Sequence, residues 1–397
     1  MHNIDRETIQ KLTQEIYKDL LTYRRQLHQN PELSFEENET ARYISQILRN
    51  HDIPIREGIA GTGIIATIQG ERGTGRTIAL RADMDALPIR EATGLPFASQ
   101  NNGVMHACGH DAHSASLLGT GIILNRLKKQ WGGTILLIFQ PGEEKFPGGA
   151  SLILKEGALN HPRPDLIIGQ HVLPEMASGN VGFKKGMYMA SGDEVYITVN
   201  GKGGHAAMPH TLNDTILAAS QVIVNLQQIV SRIVPANIPT VLSFGHIEGK
   251  GATNIIPEEV AIAGTLRTMN EDWRSRIKDK IRHIAETTAA TYGCRAEVDI
   301  KDGYPMVLNN EEVTARAQEL ATEYLGKAHV ETMETRMTAE DFGFYSQEFP
   351  ATFYRFGVRQ NDGETGALHT PRFNLNEKSL ETSCGLMTWV ALNMLQP

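Results

Sequence analysis

Cysteine is scarce in this chain: only three occur in 397 residues. Cys108, Cys294 and Cys384 are odd in number and far apart, which argues against a disulfide framework and fits free thiols in a reducing compartment. Low-complexity tracts are missing from a composition that is 41% hydrophobic and 21% charged, so extended disorder is not expected. Positive charge is not in excess either. Thirty-eight Lys and Arg against 46 Asp and Glu leave a formal charge of −8, the wrong sign for a phosphate backbone as partner. No run approaches membrane-spanning length, and the opening residues, MHNIDRETIQKLTQEIY, lack the apolar core of a secretory signal. The expectation is a cytoplasmic protein that binds neither nucleic acid nor membrane.

What is present reads as an α/β protein. Residues 5 to 30 and 36 to 50 carry apolar positions at helical spacing, with Asn30-Pro31 between them. Four short apolar runs follow: GIIATIQG (63–70), TIALRAD (77–83), TILLIFQ (134–140) and DLIIGQH (165–171). Continuous apolar runs of that length suit buried parallel strands, and helical stretches at 112–128 and 148–156 separate some of them. The alternation predicts a mainly parallel sheet with helices on both faces. From about 187 to 303 the order changes to strand, helix, two strands, helix and strand, which predicts a separate α+β unit of ferredoxin-like type. The larger domain is then discontinuous, 1–186 with 304–397, around an insert at 187–303.

Ligands of such sheets bind beyond the carboxyl ends of the strands. Asp83 and Asp85 follow the second strand, Glu143 and Glu144 the third, and His171 closes the fourth. The stretch HACGHDAH (106–113) lies near the same edge, and thiolate with imidazole is a common ligand pair for borderline soft divalent metals. Alone, Cys108 reads as a small buried hydrophobe; His106, His110 and His113 around it turn the reading toward a metal. A metal hydrolase needs one carboxylate on the ion and another, not bound to it, to take a proton from water, and two adjacent glutamates diverge enough to divide those roles. A pair of solvated loop glutamates is the plain alternative. His171 is either a ligand or a histidine with backbone partners, and His369, in GALHTPRF, is a lone histidine in a turn-rich loop. Asp83 and Asp85 suit the orienting of ligands from behind, and Arg81 a structural role. His205 follows glycines in GKGGHAAMPH that let backbone approach a ligand. Asn254 and Arg267 either cap and pair locally or meet a substrate.

Eight segments in order, RADMDALP, HACGHDAH, FQPGEE, GQHVLP, GKGGHAAMPH, GATNIIPEE, TAEDFGFY and LHTPRFN, run across nearly the whole length. Together they resemble the metal-dependent amidohydrolases that include hippurate hydrolases, N-acyl-amino-acid aminoacylases, N-acetyl-diaminopimelate deacetylases, auxin-conjugate hydrolases and a thermostable carboxypeptidase. The resemblance implies two divalent ions (zinc, manganese, cobalt or nickel) held by Cys108, His110, Glu144, His171 and His369. It implies Glu143 as the base acting on a shared water, His205 as a lid histidine reaching the scissile carbonyl, and Asn254 and Arg267 as holders of a substrate carboxylate. The insert becomes a lid that mediates dimers or higher homo-oligomers. One departure stands out: EEKFPGGA places Lys145, Phe146 and Pro147 straight after the glutamate pair, where small residues are usual.

The expected reaction is amide hydrolysis of a small N-acyl amino acid, hippurate-like or N-acetylated, to a carboxylate and a free amino acid. A carboxypeptidase or dipeptidase working by the same steps on a short peptide is the alternative. A non-catalytic metal-binding interaction protein is a third reading, which a lost base or a broken ligand set would have favoured.

Overall fold

The computed structural model describes residues 4–361 and 365–395. Along the chain come α1 (Arg6–Glu15), α2 (Tyr17–Gln29), α3 (Asn38–Asn50), β1 (Ile55–Ile59), β2 (Gly63–Gln69), β3 (Thr77–Asp83), α4 (His110–Arg126), β4 (Thr134–Gln140), α5 (Gly149–Lys155), β5 (Leu166–Ala177) and β6 (Val181–Phe183). Then follow β7 (Gly186–Met189), β8 (Asp193–Asn200), β9 (Gly204–His205), α6 (Thr215–Leu226), β10 (Thr240–Glu248), β11 (Ile255–Ile256), β12 (Glu259–Thr268), α7 (Glu271–Thr291) and β13 (Arg295–Lys301). The last elements are β14 (Val307–Asn309), α8 (Glu311–Leu325), β15 (Val330–Thr332), α9 (Gly343–Glu348), β16 (Ala351–Arg359) and α10 (Ser379–Met394). Two compact units result. Of the described residues, the first comprises those up to Gly186, Leu308–Thr335 and those from Phe344 onward; the second comprises Met187–Val307 and Arg336–Gly343.

An eight-stranded sheet forms the first unit, in the order β1-β2-β4-β3-β5-β16-β6-β15. Its centre is parallel, β4 beside β3, β3 beside β5 and β5 beside β16. The run at 63–70 departs from expectation: β2 is antiparallel to both β1 and β4. An apolar run records burial on both faces but carries no direction, so the sequence pattern is the same either way.

Helix α4 is the hub of this unit. Every residue from His110 to Leu124 is buried, because the helix packs on β2, β3, β4 and β5 and is covered by α1, α2, α3 and α10. A helix buried all round is a core helix rather than an amphipathic surface one. Truncating one of its fully buried leucines, Leu117 or Leu118, to alanine costs about 2–5 kcal/mol. The expected helix at 112 begins two residues earlier, so His110 is its first residue.

The second unit is a four-stranded antiparallel sheet, β10-β12-β8-β13, with α6 and α7 packed on it. Side-chain caps start both helices: Asp214 accepts the amide of Leu217, and Asn270 that of Trp273. Contrary to the expectation of no membrane-length run, the helical stretch Thr215–Ile233 is long and apolar enough to qualify by length and composition. Its buried positions, Ala218, Ala219, Val222, Leu226 and Ile229, belong to the core of this unit. The opposite face leaves Ile216, Leu217, Val224 and Val230 exposed.

Candidate metal centre

Gly109 joins Cys108 to the first turn of α4. Its φ of +81° lies in the left-handed region, and a Cβ there would come within 2.7 Å of Val172, so both conformation and space require glycine. The turn lets residues 108 and 110 face the same point from a loop and a helix start. Cys108 Sγ lies 3.4 Å from His171 Nε2.

Each of these two histidines has one ring nitrogen occupied. His171 Nδ1 is 2.8 Å from the carbonyl of Val172, and His110 Nδ1 is 2.9 Å from the carbonyl of Asp85 and 3.2 Å from its carboxylate. A ring nitrogen facing a carbonyl must carry the proton, so each ring, when neutral, offers its lone pair at Nε2. His110 Nε2 is buried and has no hydrogen-bond partner among the described residues, with Asp83 Oδ2 3.7 Å away. A buried ring nitrogen without a hydrogen bond is costly in a finished core and is what a metal ligand looks like. His171 is not the end of its strand, as the sequence pattern had it. Strand β5 continues to Ala177 beside β16 after its pairing with β3 has stopped at Gly169, so His171 lies just past the end of that ladder.

Across the site, His369 adopts φ +60°, a conformation rare outside glycine and held here by its amide bonding to the carbonyl of Ala107 at 2.9 Å. This turn brings His369 Nε2 to 3.1 Å from Glu144 Oε1. Donor atoms of Cys108, His110 and His171 all lie within 4.8 Å of one another, and the same is true of Cys108, Glu144 and His369, and of His110, Glu143 and Glu144. Cys108 is common to the first two groups, and Glu143, itself buried, belongs to the third.

The electrostatics favour a cation here. Burial opposes charge on His110, yet the Asp83 carboxylate and Cys108 outweigh it and hold its pKa above the ordinary value. Hydrogen bonds to Cys108 and Glu144 raise His369 to about 10. Burial, and next the positive charge of Arg355, keep His171 neutral. Burial and the neighbouring Glu144 push the Cys108 thiol up. Thiol, imidazole and carboxylate donors together fit a late divalent ion.

Behind the donors, Asp85 spans the centre. Its carboxylate faces His110 and accepts the amide of Glu144 at 2.9 Å and the hydroxyl of Ser34 at 2.6 Å. Asp83 bonds Arg81 and His113, both at 2.6 Å. His113 was visible in HACGHDAH without a role of its own; its Nε2 accepts the amide of Val172, next to His171. Glu37 was missed altogether, because an acidic residue in PELSFEENE reads as surface. Past the glutamate pair, Phe146 stands 43% exposed at a turn closed by the amide of Gly148 on the carbonyl of Lys145.

The other residues singled out in the sequence, His205, Asn254 and Arg267, lie in the second unit. His205 is exposed on β9, opposite Ile255, with Nδ1 accepting the amide of Ala207. The carbonyl of Asn254 accepts the amide of Ala206. Arg267, half-buried on β12, packs against Gly192.

A ring of thiol, imidazole and carboxylate donors at the carboxyl edge of a largely parallel sheet, with a second buried carboxylate beside it, defines a metal-dependent amidohydrolase. The chain belongs to peptidase family M20/M25/M40, whose pattern it matches over residues 79–393. It is 41% identical over 363 residues to an N-acetyl-L-cysteine deacetylase of Bacillus subtilis, covering 91% of this chain and 85% of that one. To an N-acetyldiaminopimelate deacetylase of Bacillus cytotoxicus it is 38% identical over 361 residues, 90% and 93% of the two chains. Among solved structures it resembles the YXEP protein of Bacillus subtilis, described as a dinuclear metal-binding peptidase of the M20 family. The TM-score is 0.82 at 35% identity, over 96% of this chain and 99% of that one.

Proposed function

We propose that this protein hydrolyses the amide bond of small N-acyl amino acids, N-acetylated ones first among them, with two divalent ions held by Cys108, His110, Glu144, His171 and His369. The observation that carries this reading is the wiring of His110 and His171, each tied through Nδ1 to a backbone carbonyl, with donor atoms of both and of Cys108 within 4.8 Å of one another. Deacetylases among the relatives support the substrate class. Bound ions supply polarisation of the amide carbonyl and a more acidic water. Glu143 takes the proton as water oxygen bonds to the carbonyl carbon, then passes it to the nitrogen as the C–N bond breaks, so a carboxylate and a free amine leave. His205 donates to the developing oxyanion, and Asn254 and Arg267 hold the substrate carboxylate. Phe146 and Lys145, on their turn past the base, select the acyl group.

The thiolate in the donor set favours zinc, with manganese, cobalt and nickel as the other candidates. The first unit is the catalytic domain and the second the lid. Homodimers form through the lid, where β10 leaves an open sheet edge and α6 an apolar face. Three free, buried cysteines suit a cytoplasmic location. Amine release measured on hippurate, a panel of N-acetyl amino acids and a set of dipeptides tests the proposal. N-acyl amino acids are expected to turn over fastest; preference for dipeptides sinks this substrate class. Glu143→Ala is expected to keep its metal while turnover collapses, and retained turnover removes Glu143 as base.

A further inference from the structure

Glu37 is a fully buried carboxylate with no Lys, Arg or His among its bonding partners in the described residues. Such a group is expensive to bury and needs a reason. Its Oε1 accepts two amides, from Phe35 at 2.9 Å and from Gly142 at 2.8 Å, and Oε2 accepts the hydroxyl of Thr62 at 2.6 Å. Gly142 is the residue before Glu143. It adopts φ +59°, and the space a Cβ would take is filled by the ring of Phe35. Phe35 itself has φ +68°, a conformation that costs a bulky residue about 1 kcal/mol or more and persists only where the surroundings impose it.

The residue after Glu143 is held from the same turn. The amide of Glu144 bonds Asp85, and Asp85 accepts the hydroxyl of Ser34 on the same oxygen. One strained turn, Ser34 to Glu37, therefore fixes the backbone on both sides of Glu143, through Glu37 and Phe35 at position 142 and through Ser34 and Asp85 at position 144. A carboxylate serving only its own turn would bond Phe35 and stop there. This one also reaches a chain segment 105 residues away.

We propose that Glu37 is a positioning residue for the reaction, which holds the loop at Gly142 so that the Glu143 carboxylate points along the direction of proton transfer. The inference rests on Glu143 being the base. Displacement of a catalytic group by about 1 Å costs up to about 100-fold in rate, so loosening this loop is visible in kcat.

The test is a double-mutant cycle of Glu37→Leu and Glu143→Ala in the metal-loaded enzyme, on the fastest N-acetyl amino acid of the panel, with metal content measured for each variant. Leucine has no oxygen to accept the Gly142 amide, and Glu37→Leu is expected to lower kcat about tenfold or more, with KM changed less than about twofold and metal content unaltered. Glu37→Gln keeps an oxygen for both amides and is expected to stay within about threefold of the parent kcat. In the Glu143→Ala background Glu37→Leu is expected to change the residual single-turnover rate by less than about twofold, since its effect passes through Glu143. An unchanged kcat in Glu37→Leu overturns the proposal, and so does an equal loss in both backgrounds, which marks a general structural role, or a Glu37→Gln variant as slow as Glu37→Leu. Parent-level turnover by Glu143→Ala removes the base assignment itself, whatever Glu37→Leu does. Should Glu37→Leu fail to fold, Glu37→Ala, which leaves room for water at the freed amides, enters the same cycle with the same outcomes.

Discussion

His113 and Val172 are joined by a hydrogen bond of 2.9 Å from the Val172 amide to the His113 ring, which ties the first turn of α4 to β5 beside His171. The other ring nitrogen of His113 lies 2.6 Å from Asp83, so this histidine is neutral, with its proton on Nδ1. Burial keeps it so, although Asp83 pulls the other way.

Replacing His113 by Phe keeps the bulk and removes both bonds. The amide of Val172 is then left unsatisfied and His171 loses its fixed approach to Cys108. Metal affinity is expected to fall about 10–100-fold, read by competition with a chelator of known affinity. Affinity equal to that of the parent contradicts a role for this bond in aiming His171.

Gly109→Ala tests the turn from which Cys108 and His110 converge. A side chain there meets both an unfavourable φ and the methyls of Val172. Stability is expected to drop by about 2 kcal/mol or more, and metal binding to weaken with it. Calorimetry with and without bound metal checks both, and a variant as stable and as metal-tight as the parent contradicts the account.

The second unit makes its own prediction about acid. Asp193, buried, is bonded by Arg274 at 2.7 and 2.8 Å and faces Lys278 at 3.0 Å. Burial alone would raise its pKa, but Arg274 outweighs it and holds the carboxyl below the ordinary 3.8. A folded pKa below the unfolded one gives stability that is complete above about 4 and is lost as pH falls further, through the depressed value. Arg274→Ala leaves a buried carboxylate with Lys278 and the amide of Gly303 as its remaining partners, at a cost of about 3 kcal/mol near neutral pH. Urea unfolding followed by tryptophan fluorescence, with Trp273 on the same helix, is expected to show that gap at pH 7 and a smaller one at pH 3. A gap that widens in acid contradicts the assignment.

Legibility in the sequence followed the range of the interactions. Strands β3, β4 and β5, and the helix that brings His110 to their edge, were readable because burial and period are local properties. Strand β2 was assigned the wrong direction because pairing partners are not local. As candidates, Cys108, His110, Glu143 and Glu144 stand out as residue types at strand ends and in one compact motif, whereas His171 and His369 need the wider resemblance to be singled out. The supporting residues were hidden in proportion to their distance along the chain. Ser34 reaches Asp85 across 51 positions and Glu37 reaches Gly142 across 105, and nothing in PELSFEENE distinguishes an acid that is buried from one that is solvated.

The central claim is that Cys108, His110, Glu144, His171 and His369 gather two divalent ions. Anomalous diffraction at the metal edge, on crystals grown with zinc or manganese, tests it most directly. Two peaks are expected, both enclosed by these five side chains, with Cys108 Sγ and the Nε2 atoms of His110 and His171 among the bonded atoms. Peaks that avoid Cys108, with His110 Nε2 still bonded to nothing, contradict it.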